Sequence, residues 1–67
     1  MQVTVNGEVR TLSKPCTLAE ALREWGYHQE MPIAVAVNYQ VIAKQKHAQF
    51  ILEIGQVIDI LMPMQGG

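Results

Sequence analysis

A chain of 67 residues buries only about 60% of the surface its unfolded form exposes, so there is no room for a second domain and the core has to be small and regular. Apolar residues make up 49% of the chain, and five Lys and Arg nearly balance six Asp and Glu for a net charge of −1. That composition excludes a disordered polyelectrolyte and gives no positive field to hold a phosphate backbone, while the single cysteine, Cys16, excludes an internal disulfide and makes the reducing cytosol the expected compartment.

The opening residues lack the basic segment and the apolar run of about 7–15 residues of a secretory signal, and no stretch approaches a membrane span. Val3 and Val5 alternate with Gln2 and Thr4, Asn6-Gly7 supplies residues suited to positive φ, and an extended pattern resumes from Glu8 to Leu12, which predicts a β-hairpin. A two-residue turn pairs Val5 with Glu8 and sends Val9 to the face opposite Val3 and Val5. A bulged loop gathers all three valines on one face, and this is the expected register.

After Pro15, the run Thr17-Leu18-Ala19-Glu20 is a capping box, in which the Thr hydroxyl and the Glu carboxylate satisfy amides at a helix start. Leu18, Leu22 and Trp25 then recur at i, i+4 and i+7, with Glu20, Arg23 and Glu24 opposite and Gly26 placed to end the helix after about two to three turns. Ile33, Val35 and Val37 alternate with Ala34 and Ala36, Asn38-Tyr39 bends the chain, and Val41-Ile42-Ala43 forms a short strand. Residues 44–50 hold no period and are expected as a loop or one helical turn. From Gln56 to Met62 a last strand sets Ile58, Ile60 and Met62 on one face and Val57, Asp59 and Leu61 on the other, and Pro63 ends its ladder.

Hairpin, helix, strand, short strand and final strand predict an α+β fold, a ubiquitin-like β-grasp roll with a mixed four- to five-stranded sheet packed on one main helix. If the helix covers Val3, Val5, Val35 and Ile58, the other sheet face carries Val57 and Leu61 beside the small Ala34 and Ala36, open to a partner.

The constellations of a stand-alone enzyme are missing: there is no Gly-rich phosphate loop, Cys-x-x-Cys, His-x-x-x-His or Ser-His-Asp set, and no catalytic or metal site is expected. Cys16 precedes a helix cap without an evident base and is expected to be structural. His28 and His47 fall in loops and are expected on the surface, and Trp25 at helical spacing is expected in the core.

The carboxyl end is different. With Gly near 7% of average usage, a terminal pair such as Gly66-Gly67 arises by chance in about one chain in 200. Residues 1–63 are expected to form the domain and 64–67 a flexible tail, reaching about 13–14 Å when extended. Glycine has no Cβ, so protein walls can close around such a backbone, leaving the terminal carboxylate free to attack the α-phosphate of ATP. The plainer account is a frayed terminus that ends in two small residues.

On these residues the chain resembles the ThiS sulfur carriers, β-grasp proteins in the same broad group as ubiquitin and MoaD. The marks are Val3-Thr4-Val5-Asn6-Gly7, Thr17-Leu18-Ala19-Glu20-Ala21-Leu22, Val35-Ala36-Val37-Asn38, Ala48-Gln49 and Gly66-Gly67, spread over the whole chain. Ile42-Ala43, His47 and Ile54-Gly55-Gln56 stand where the family often has a Val-Pro pair, an aromatic residue and an Asp-Gly-Asp turn. The resemblance implies a sulfur carrier of thiamin biosynthesis that binds no cofactor itself. A ThiF-like enzyme, using Mg-ATP, would adenylate the Gly67 carboxylate. A cysteine desulfurase or related donor would supply sulfur for a Gly67 thiocarboxylate, and the thiazole synthase ThiG would receive it. Gly66 gives the tail access to both active sites, and Val57, Asp59 and Leu61, with Met62 and Met64 toward the tail, are the expected docking residues. The alternatives are a MoaD-like carrier for molybdopterin, a protein modifier joined through Gly67 to lysine, and a non-covalent interaction module in which the two glycines are dispensable.

Overall fold

The structure is a computed structural model, and it describes residues 1–28 and 30–62. Strands β1 (Gln2–Val5) and β2 (Glu8–Thr11) form an antiparallel hairpin joined by Asn6 and Gly7 alone. Both turn residues take positive φ, 50° and 84°, the conformation whose twist matches that of the flanking strands. Val5 pairs with Glu8 and Thr4 with Val9, which corrects the bulged register: Val3 and Val5 are buried, while Val9 is 67% exposed on the other face. The local chemistry of Asn-Gly, which adopts the tightest hairpin turn without strain, outweighs the gain from bringing Val9 inward on an edge strand.

Helix α1 (Leu18–Glu24) starts at the predicted capping box. The Glu20 amide donates to Thr17 Oγ1 at 3.2 Å and the Thr17 amide to Glu20 Oε1 at 2.9 Å. The amides of Leu18 and Ala19 donate to the carbonyls of Phe50 and His47 at 2.7 and 3.0 Å, so the first turn's donors are occupied by the loop that closes over it. The helix ends after seven residues. There Gly26 takes φ 98°, its amide donates to the Arg23 carbonyl, and the Tyr27 amide donates to that of Leu22, a Schellman arrangement.

Strands β3 (Ala34–Val37) and β4 (Gln40–Ile42) form a second antiparallel hairpin, followed by one 3₁₀ turn at Lys44–Lys46 and by β5 (Val57–Leu61). The sheet order is β2-β1-β5-β3-β4, with β1 and β5 parallel and the other pairs antiparallel. This is the mixed five-stranded sheet and single helix of a ubiquitin-like β-grasp, as the order of elements predicts.

One sheet face and one helix face share the core. Val3, Val5, Val35, Val37, Ile58 and Ile60 meet Leu18, Ala21 and Leu22, with Leu12 and Leu52 closing the ends. A fully buried aliphatic side chain such as Ile58 contributes about 1.5–3 kcal/mol. Trp25 and Cys16 pack partly buried at the border. His28 is exposed, but His47 is only 7% exposed, which corrects its expected surface position: the 3₁₀ turn carries it inward, where its Nε2–H donates to the Ile42 carbonyl at 3.0 Å.

Candidate functional site

Strand β5 is central, flanked by β1 on one side and β3 on the other. Because side chains alternate across a strand, Ile58 and Ile60 enter the core and Val57, Asp59 and Leu61 stand on the face that α1 leaves uncovered. The register brings Thr4 beside Val57, Ala36 beside Asp59 and Ala34 beside Leu61. The two alanines are too small to shield their neighbours, and Leu61 is 68% exposed while Val57 and Asp59 are half-buried.

The same face includes two residues that the sequence argument did not place there. Val9 lies opposite Thr4, and Val41 lies opposite Ala36. Both are largely exposed, so exposed apolar side chains occur on this face from β2 to β4, interrupted by Thr4 on β1 and Asp59 on β5. The signal for Val9 was the Asn6-Gly7 pair itself, read as a two-residue turn. Single exposed hydrophobes need no explanation, but several of them on one flat face are the form a protein-docking surface takes.

Of the residues expected in the site, Val57, Asp59 and Leu61 are together on this face and Met62 follows them, half exposed. Met64, Gly66 and Gly67 lie outside the described residues.

Elsewhere the chemistry is quiet. Cys16 is half-buried; burial pushes its thiol pKa up, the Glu20 and Glu24 carboxylates add to this, and Lys14 opposes it. A thiol so placed is a poor nucleophile. A groove beside the end of α1 is lined by Leu22, Arg23, Tyr27, Lys44 and His47. Two of its polar groups are engaged in holding the fold: Lys44 Nζ donates to the Met31 carbonyl at 3.3 Å, and His47 donates to Ile42. Among the described residues no cluster of three or more His, Cys, Asp or Glu is placed to hold a metal, and no helix is long and apolar enough to cross a membrane.

Comparison with known families gives a match to the ThiS family over residues 3–67, a span that takes in the open face and both terminal glycines. The chain belongs to the ThiS family. Among solved structures, the crystal structure of a thiamine biosynthesis protein (ThiS) from Geobacter metallireducens is similar with a TM-score of 0.85 and 25% identity, covering 100% of both chains. A solution NMR structure of a thiamine biosynthesis protein from the same organism is similar with a TM-score of 0.81 and 25% identity, covering 100% of this chain and 88% of the other. No curated protein matches the sequence. Membership of the ThiS family makes this a small carrier domain of thiamine biosynthesis, in keeping with the absence of a catalytic constellation from its sequence.

Proposed function

We propose that the chain carries sulfur as a thiocarboxylate on Gly67, for thiazole formation in thiamine biosynthesis. The observation that supports this most is the ThiS-family match, which extends through Gly66-Gly67. An ATP-dependent adenylating enzyme of the ThiF type docks on the open sheet face. The Gly67 carboxylate oxygen then attacks the α-phosphorus of Mg-ATP, pyrophosphate leaves, and an acyl-adenylate is formed. The terminal sulfur of a persulfide on a cysteine desulfurase or related donor attacks the acyl carbon and displaces AMP, giving an acyl disulfide. A second thiol then attacks the donor's sulfur, so that the S–S bond breaks, the donor and that thiol are left as a disulfide, and Gly67 keeps the reduced sulfur. The resulting thiocarboxylate is a soft nucleophile that delivers sulfur inside a thiazole synthase of the ThiG type without release of free sulfide. Gly66, lacking a Cβ, lets the tail enter both active sites, and the domain itself binds no cofactor. The cytosol, where adenylating enzyme and ATP are at hand, is the compartment for this cycle.

The test is the intact mass of the protein purified from its native host, followed by fragmentation of the C-terminal peptide. An oxygen-to-sulfur exchange on Gly67 is expected. Gly67 found in an isopeptide bond to lysine would instead support protein modification. Deleting Gly67, or the change Gly66→Trp, is expected to leave the domain folded and abolish sulfur transfer; transfer at the parental rate would overturn the proposal.

A further inference from the structure

Strand β5, which leads into the tail, is held toward its two ends by two asparagines in equivalent settings. Asn38, the first residue of the β3–β4 turn, has φ 51°; its amide donates to the Val57 carbonyl at 2.7 Å and its Oδ1 accepts from the Val57 amide at 2.9 Å. Asn6, the first residue of the β1–β2 turn, has φ 50°; its amide donates to the Ile58 carbonyl at 2.9 Å and its Oδ1 accepts from the Ile60 amide at 2.8 Å. The parallel β1 turns away after Val5, which pairs with Ile58, whereas β5 continues to Leu61. The Ile60 amide therefore faces a position where β1 has no backbone left to offer, and the Asn6 side chain supplies the acceptor. The bond is partly buried and joins residues 54 apart in sequence.

We propose that Asn6 is a positioning residue for the C-terminal carboxylate: its hold on the Ile60 amide sets the direction in which the chain leaves the sheet. This rests on the carrier reading above. Without the bond, β5 beyond Ile58 is held on one side only, by β3, in the register Ala36 with Asp59, Val35 with Ile60 and Ala34 with Leu61. Six residues follow Leu61 and span at most about 20 Å, so the point and direction in which β5 ends bound the region that the carboxylate can reach, and reaction at a phosphorus atom depends on delivery into a narrow geometry.

The pair of asparagines supplies its own control. Asn6→Gly removes the acceptor and keeps the left-handed turn, because glycine suits φ near 50°. Asn38→Gly makes the same change at the start of β5, and Asn6→Asp retains an acceptor oxygen. Amide hydrogen exchange followed by NMR is expected to accelerate about tenfold at Ile60 in Asn6→Gly and to stay parental there in Asn38→Gly. With the adenylating enzyme of the same organism and ATP, pyrophosphate release is expected to show kcat about three- to tenfold lower for Asn6→Gly, with KM for the carrier within about twofold of the parent. Asn38→Gly is expected to keep the parental kcat, and Asn6→Asp to restore it.

Equal losses of kcat in the two glycine variants, a parental kcat in Asn6→Gly, no recovery in Asn6→Asp, or unchanged exchange at Ile60 would each overturn the positioning role. A parent chain that releases no pyrophosphate, or a Gly67-deleted chain that releases it as fast, overturns the carrier reading and the positioning role with it. That failure is distinguished by appearing before any asparagine is changed.

Discussion

The Nε2–H of His47 donates to the carbonyl of Ile42 at 3.0 Å, tying the end of β4 to the loop that closes over the start of α1. The backbone of the same residue accepts from the Ala19 amide, so one histidine links strand, 3₁₀ turn and helix. Its removal leaves a carbonyl without its donor and a void beside the core. His47→Ala is expected to lower unfolding free energy by about 1–3 kcal/mol in urea titration. An unchanged midpoint would show that water replaces the imidazole at no cost.

At the helix start, the Thr17 amide and, more weakly, its hydroxyl donate to the Glu20 carboxylate and hold its pKa below the ordinary 4.5. A depressed value in the folded state means that the stabilisation is whole above the ordinary value and is lost as pH falls through the folded one. The unfolding midpoint is expected to drop as pH goes from about 6 to about 3, and Glu20→Gln to flatten part of that drop. Parallel pH profiles would remove Glu20 from the account. Thr17→Ala is expected to cost about 1 kcal/mol at neutral pH.

The two hairpin turns use the same left-handed geometry with different second residues. Gly7, at φ 84°, has open space around a would-be Cβ, so Gly7→Ala is expected to cost about 1 kcal/mol through backbone strain alone. Tyr39, at φ 69° and 84% exposed, already bears that strain with little packing in return. Tyr39→Gly is expected to raise stability by up to about 1 kcal/mol, read as a higher thermal midpoint. A lower midpoint would assign the tyrosine ring a packing role.

Leu61 is exposed on the sheet face away from the core, beside Ala34. Leu61→Asp is expected to change stability by less than about 0.5 kcal/mol. It is also expected to raise KM for the carrier in adenylation about tenfold or more, the effect of placing a charge in a desolvated contact. An unaffected KM would move the docking surface elsewhere.

What could be read in the sequence was what short-range chemistry decides. Thr17 and Glu20 are three residues apart and cap the helix wherever it packs; Leu18 and Leu22 recur with the helix period; Val57 to Leu61 alternate with the period of a strand, so the face carrying Val57, Asp59 and Leu61 is legible from the sequence. The two terminal glycines and the family likeness were legible in the same way, because they are written residue by residue.

Tertiary structure decided the rest. Val9 was misplaced because its face depends on a competition between turn geometry and hydrophobic patterning, and Asn6-Gly7 won. His47 has no periodic neighbours to mark it as buried, and only the packing of the 3₁₀ turn against β4 and α1 takes it inside. Asn6 carried a turn signal in the sequence, but its hold on Ile60 comes from strands that are far apart in the chain and end at different lengths in the sheet. Local periodicity thus determined which elements form and which faces they show, while the meeting of distant strand ends determined which polar side chain holds the end of β5.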